Sequence, residues 1–158
     1  MSEHALIQKY FVPLAKRFPG SFSLSNDAAV LNVPSGMELV VTKDAISEGI
    51  HYLKGTDPAL ISRKLLRTNL SDLAAMGATP WCYFLSVALP ALDEAFIARF
   101  AEGLAADQRR YGVILCGGED YTLTGPYGAD LYRHLDVWTW NGGNWTKLSD
   151  WDWANATG

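Results

Sequence analysis

Apolar residues recur at Leu6, Ile7, Tyr10, Phe11, Leu14 and Phe18 in "EHALIQKYFVPLAKRF". Spacings of three and four predict a helix, which Pro13 kinks or divides. "PGSFSLSNDAAVLNVPSG" is rich in turn residues around one short strand at 29–33. "MELVVTKDAISEGIHYL" predicts a long strand with a bulge or break near 47–49. A second helix follows over 58–76, with Asp57 as its cap, Pro58 at its first position and Gly77 at its end. "YFLSVALP" predicts a third strand, "DEAFIARFAEGLAADQRRYG" a helix between Asp93 and Gly112, and "VILC" a fourth strand. The order β-β-α-β-α-β after a leading helix predicts an α/β (α+β) domain. In it a four-stranded mixed sheet carries helices on one face.

The pattern changes after Pro126. "DVWTWNGGNWTKLS" alternates every two residues around Asn141-Gly142-Gly143-Asn144, which predicts a C-terminal β-hairpin with Trp140 and Trp145 flanking the loop. An isolated hairpin is marginal in water, so this one is expected to dock on something. The expected organisation is a domain over 1–127 and a Trp-rich tail over 128–158.

Composition narrows the function classes. The chain has 158 residues, enough for one domain with a real core and little more. Its net charge of -4 argues against a nucleic-acid surface, which carries a basic stripe. No apolar run approaches a membrane span, and "MSEHALIQKYF" lacks the pattern of a secretory signal. Cys82 and Cys116 show no metal-type spacing, so they are expected to be reduced thiols in a cytoplasmic protein.

The acids fall at or near element ends. Asp27 precedes the first strand, Asp44 follows Val40-Val41-Thr42, and Glu119 and Asp120 follow the fourth strand. Asp72 differs, because it lies inside a helix. Leu65, Asn69 and Met76 share its face, which makes Asn69 and Asp72 a polar spot on a mainly apolar stripe. A buried carboxylate there requires a partner or a metal. Two readings stand side by side: Asp72 caps a neighbouring loop, or the acids hold a hard cation such as Mg²⁺, which takes oxygen ligands and bridges phosphates.

Taken in order, "NDAAVL", "LVVTKDAISEGIHY", "DPALISRKLLRTNLSDLAAMGATP", "FLSVALP" and "YGVILCGGED" resemble the N-terminal domain of thiamine-monophosphate kinases. These enzymes belong to the superfamily that includes aminoimidazole ribonucleotide synthetase. The resemblance covers about residues 4–126, and "NLSDLAAMGA" is its most specific piece. It implies transfer of the γ-phosphate of ATP to thiamine monophosphate, several Mg²⁺ ions, and a homodimer in which the N-terminal sheets pair. By position it implies that Asp27, Asp44 and Asp72 are Mg²⁺ ligands with Thr42 beside them. His51 matches a substrate-contacting residue, Gly117 and Gly118 an ATP-contacting turn, and Glu119 the family's aspartate. Such chemistry is mostly positioning and charge neutralisation, so carboxylates and metals suffice without a nucleophilic side chain.

The departures are specific. Asn26 stands where the family has an acid, Lys43 where it has a small hydroxyl residue, and "GGED" where it has "GGDT". "GGEDYTL" also resembles a second motif that the family carries far downstream. "TGP" keeps the spacing of the first motif, which favours drift over fusion of the two. The resemblance stops near residue 126, so the family's C-terminal domain is expected to be missing from these 158 residues. Two functions therefore remain open: an ATP-dependent kinase of this type, and a non-catalytic dimeric Mg-nucleotide-binding or interaction module derived from one.

Overall fold

The computed structural model describes residues 2–26, 28–89, 93–118, 121–123, 134–140 and 145–152. The chain divides into two compact units: Met1–Ala88 with Leu92–Tyr121, and Leu89–Ala91 with Thr122–Gly158.

In the first unit the leading helix is not continuous. α1 (Glu3–Leu6) passes into a π-helical turn, Ile7–Phe11, and then into α2 (Val12–Ala15). Pro13 is the cause: it has no N–H for the carbonyl four residues back, and its ring crowds that carbonyl. A widened turn absorbs the mismatch. Leu6, Ile7, Phe11 and Ala15 still face inward and are buried. A 3-10 segment, Pro19–Leu24, follows and contains the consecutive left-handed residues Phe22, Ser23 and Leu24.

The two long helices form as the local signals predict. α3 (Pro58–Ala75) starts where the Asp57 carboxylate accepts the Ala59 N–H at 3.0 Å, and the chain leaves it through left-handed Gly77. α4 (Glu94–Tyr111) starts where Asp93 accepts the Phe96 N–H at 3.1 Å and ends at left-handed Gly112. They cross at Gly103. A Cβ there would lie 2.1 Å from Ser62 Oγ and 2.3 Å from the Ala59 carbonyl oxygen. Beside this crossing the buried Asp107 accepts two bonds from Arg67, at 2.7 and 2.8 Å, and has Arg63 Nε at 3.5 Å. A second bridge is exposed: Arg99 reaches Asp57 at 2.6 Å and holds that carboxyl below its usual range, helped by the Ala59 N–H.

Behind the helices lies a small parallel sheet. β1 (Cys82–Phe84) pairs with β3 (Ile114–Gly117) in the register Cys82↔Ile114, Tyr83↔Leu115, Phe84↔Gly117, with a bulge after Tyr83. Val113, Leu115 and Cys116 are buried against the leading helical segment. Gln108 of α4 ties the layers together by donating to the Leu14 carbonyl at 3.2 Å and to the Tyr83 hydroxyl at 3.0 Å. β2 (Val87–Leu89) and β4 (Tyr121–Leu123) are short.

Among the described residues the expected four-stranded sheet does not form. "YFLSVALP" gives two three-residue strands instead of one. The two N-terminal strands make no ladder: 28–47 has neither strand nor helix among its described residues, and only an isolated Glu48↔Tyr52 bridge follows. A β-conformation needs a partner for its backbone groups. Here Val30 N–H finds the Gly20 carbonyl at 2.9 Å, while Met37, Leu39 and Val41 stay exposed.

In the second unit β5 (His134–Trp140) and β6 (Trp145–Asp152) pair antiparallel, with Trp140 opposite Trp145 and a register shift between Val137 and Trp138. The expected turn at 141–144 lies outside the described residues. No described helix is long and apolar enough to cross a membrane.

Candidate active site: a strap tied along α3

The segment after Met37 runs along α3 as a strap, and three bonds fix its course. The Thr42 hydroxyl donates to Asp72 Oδ2 at 3.1 Å. The Asp44 N–H donates to Asn69 Oδ1 at 2.9 Å. Lys64 Nζ donates to the His51 carbonyl. Strap numbers rise while helix numbers fall, so strap and helix are antiparallel. The eight steps from Lys64 to Asp72 cover about 12 Å of helix.

Each tie has a local reason. Asn69 gives its amide N–H to the Leu65 carbonyl at 3.0 Å, which orients its oxygen outward toward Asp44. Asp44 Oδ1 accepts the Ala45 N–H at 2.7 Å. At 47–52 the strap doubles back: Gly49 is left-handed, its N–H donates to the Tyr52 carbonyl at 2.8 Å, and the Ser47 N–H donates to His51 Nδ1 at 3.0 Å. A neutral imidazole that accepts at Nδ1 carries its proton at Nε2, which leaves that atom as a donor.

Thr42, Asp44 and Asp72 are thus brought together, although 28 residues separate Asp44 from Asp72. The buried carboxylate expected at Asp72 is not found: Asp72 is exposed, as is Met76 three turns from Leu65, so burial does not force a partner on this carboxylate. The second oxygens of Asp44 and Asp72 have no hydrogen-bond partner among the described residues. Two carboxylates beside a hydroxyl are the oxygen donors a hard cation takes. No group of three or more His, Cys, Asp or Glu side chains comes together among the described residues, and Asp27 and Glu119 lie outside them. Lys43, between Thr42 and Asp44, is exposed. Lys64 is the residue that sequence reading missed. A lone lysine on a helix has no pattern that announces a backbone partner.

Gly117 and Gly118 form a turn at the end of β3. A Cβ on Gly117 would lie 3.0 Å from the Phe84 ring and 3.1 Å from the Ala28 carbonyl, and Gly118 has φ +81°. The first position needs close approach and the second a left-handed backbone, so both favour glycine. Ala28 directly follows Asp27, which joins this turn to the first acidic motif along the chain. Among the described residues no hydrogen bond joins the turn to Asp44 or Asp72.

Comparison with known proteins gives the family. Residues 25–131 match the family described as AIR synthase related protein, N-terminal domain. The chain is similar to thiamine-monophosphate kinase of Caulobacter vibrioides, 45% identical over 121 residues, covering 76% of this chain and 34% of that protein. It is 37% identical over 133 residues to the Escherichia coli protein of the same name, covering 84% of this chain and 40% of the relative. The crystal structure of thiamine-monophosphate kinase from Stenotrophomonas maltophilia superposes with a TM-score of 0.58 and 39% identity, over 62% of this chain and 31% of that one. The chain spans two fifths or less of the length of these relatives. By the match over 25–131 it belongs to the AIR synthase related family, as an N-terminal domain whose named relatives are thiamine-monophosphate kinases.

Proposed function

We propose that this chain supplies the Mg²⁺- and ATP-binding part of a thiamine-monophosphate kinase, the reaction being transfer of the ATP γ-phosphate to thiamine monophosphate. The observation that carries it is the strap: α3 holds Thr42 and Asp44 beside Asp72 in a chain whose relatives bear that name. Asp44, Asp72 and the Thr42 hydroxyl would hold Mg²⁺, with Asp27 and Glu119 completing the acidic set. Bound Mg²⁺ would neutralise charge on the phosphates. Gly117 and Gly118 would let the nucleotide approach the backbone, and His51 would offer Nε2–H to the second substrate. Lys43 places a positive charge between two ligating positions and opposes metal binding.

A homodimer fits the same reading. Met37, Leu39, Val41, Ile50 and Leu53 are exposed along the strap, and a second copy would cover them and give the strap the ladder it lacks. The docking of the Trp-rich tail of 128–158 and a cytoplasmic location belong to this proposal; the four-stranded sheet that the single chain lacks would form only through pairing with the second copy.

The 158 residues on their own are expected to bind Mg-ATP and to make little or no thiamine diphosphate. Catalysis needs both substrates held in line, and parts that act as a unit do not contribute additively. That expectation keeps the second reading, a non-catalytic Mg-nucleotide-binding module, within reach of one experiment. Calorimetry with ATP, with and without Mg²⁺, is run on the wild-type chain and on Asp72→Asn, beside chromatography for thiamine diphosphate. Mg²⁺-dependent binding weakened about tenfold by Asp72→Asn, roughly 1.4 kcal/mol, supports the site. Binding indifferent to Mg²⁺ or to Asp72 overturns it. Turnover of about 1 s⁻¹, within the ordinary enzyme range, would show that these residues hold a complete active site.

A further inference from the structure

The turn at 47–52 folds on itself and is anchored from outside at one atom. Inside it, the His51 N–H donates to the Ser47 carbonyl at 2.9 Å, and the Ser47 N–H donates to His51 Nδ1 at 3.0 Å. The two residues thus exchange a reciprocal pair of bonds, one through the backbone and one through the imidazole ring. The Gly49 N–H adds a bond to the Tyr52 carbonyl at 2.8 Å. All of these bonds join neutral groups. Ser47, Gly49, Ile50 and His51 are exposed, so water competes for each bond. The outside anchor is Lys64, whose ammonium donates to the His51 carbonyl. A charged donor makes the stronger bond. Among the described residues no other hydrogen bond joins 45–56 to α3.

We propose that Lys64 is a positioning residue for His51. By holding the His51 carbonyl it fixes the backbone from which the imidazole projects. Nδ1 then stays on the Ser47 N–H, and Nε2–H remains the donor of the ring. Carbonyl and ring belong to one residue, so a tie on the first limits the rotamers open to the second. What this donor serves rests on the reading of His51 as a contact to the second substrate.

The test is nuclear magnetic resonance on the isotope-labelled chain at mildly alkaline pH, where an imidazole is neutral. Wild type is expected to show coupling across the bond from the Ser47 N–H to His51 Nδ1. Lys64→Met keeps the stem, removes the ammonium and is expected to lose that coupling. The Asp44 N–H, held by Asn69, is expected to keep its exchange rate in the same variant. Lys64→Arg restores a charged donor and is expected to regain the coupling. Coupling absent from wild type, or kept in Lys64→Met, overturns the proposal, and so does a loss that spreads to Asp44. Calorimetry with thiamine monophosphate separates this role from the reading it rests on. Lys64→Met is expected to weaken binding about tenfold, the scale of one lost hydrogen bond. It is expected to weaken it no further when His51→Gln is already present, the mark of a residue that acts through another. Additive losses would make Lys64 itself a substrate contact and overturn the proposal. A wild-type chain that binds no thiamine monophosphate, with the coupling pattern as expected, supports the positioning of His51 and rejects His51 as a substrate contact.

Discussion

α3 has two sides with opposite characters. Toward α4 it is closed: Ile61, Ser62 and Leu66 are buried, Gly103 admits backbone contact, and Arg67 grips Asp107. Toward the strap it is open: Asn69 and Asp72 make single bonds to a segment with exposed apolar residues and no ladder. One helix thus carries a finished packing surface and an unfinished one. The finished side needs nothing outside the chain. The strap side presents carboxylates and apolar groups to whatever binds there. Stability and function are therefore expected to separate along the helix circumference.

The most severe way to test that separation is at the crossing. Gly103→Val would place atoms where the Ala59 carbonyl and Ser62 now sit. Overpacking of this kind costs about 3 kcal/mol or more when backbone must move. Urea denaturation is expected to show a midpoint shift of that size, and an unchanged midpoint would mean that the helices separate easily. The intermediate test is Asn69→Ala, which removes the acceptor of the Asp44 N–H. One such bond is worth about 1 kcal/mol. Hydrogen exchange is expected to rise in 42–47 while α4 keeps its protection. Equal loss in both would tie the strap into the core.

The smallest effect concerns the exposed bridge at the start of α3. Arg99 holds the Asp57 carboxyl low, so the folded state binds that proton less readily than the unfolded chain does. The stability this adds is complete above the unfolded carboxyl value of about 3.9 and is lost as pH falls through the lowered one. Asp57→Asn keeps a capping side chain and removes the charge. Its melting temperature is expected to lie slightly below wild type at neutral pH and to meet it in acid. A gap that persists in acid would assign the difference to the cap.

Legibility in the sequence follows the same division. α3 and α4 were readable because their signals are local: Asp57 with Pro58, Asp93, Gly77 and Gly112 stand at the ends where the helices start and stop. The division at Pro13 was readable for the same reason, though its π form was not. The strands expected at 29–33 and 37–53 were not secure, because alternation shows fitness for a sheet and says nothing of a partner. Gly103 and Asp107 gave no signal, since their importance lies in what crosses them. In the site, Asn69 and Asp72 stood out as polar positions on an apolar stripe. Only the folded chain shows that Thr42 and the Asp44 backbone meet them and that Lys64 ties down the far end.

The left-handed run at 22–24 bears on which substitutions this chain can accept. A non-glycine residue in that conformation costs about 1–2 kcal/mol. Leu24 offsets the cost by burying its side chain, a gain of about 1.5–3 kcal/mol. Phe22 and Ser23 are exposed and recover nothing comparable. The tolerated alphabet therefore differs within three residues. Glycine, asparagine or aspartate suits positions 22 and 23, while 24 keeps a large apolar side chain. β-branched residues are excluded throughout. A library diversified around the "SND" motif would exhaust most of its members on this step before reaching Asn26.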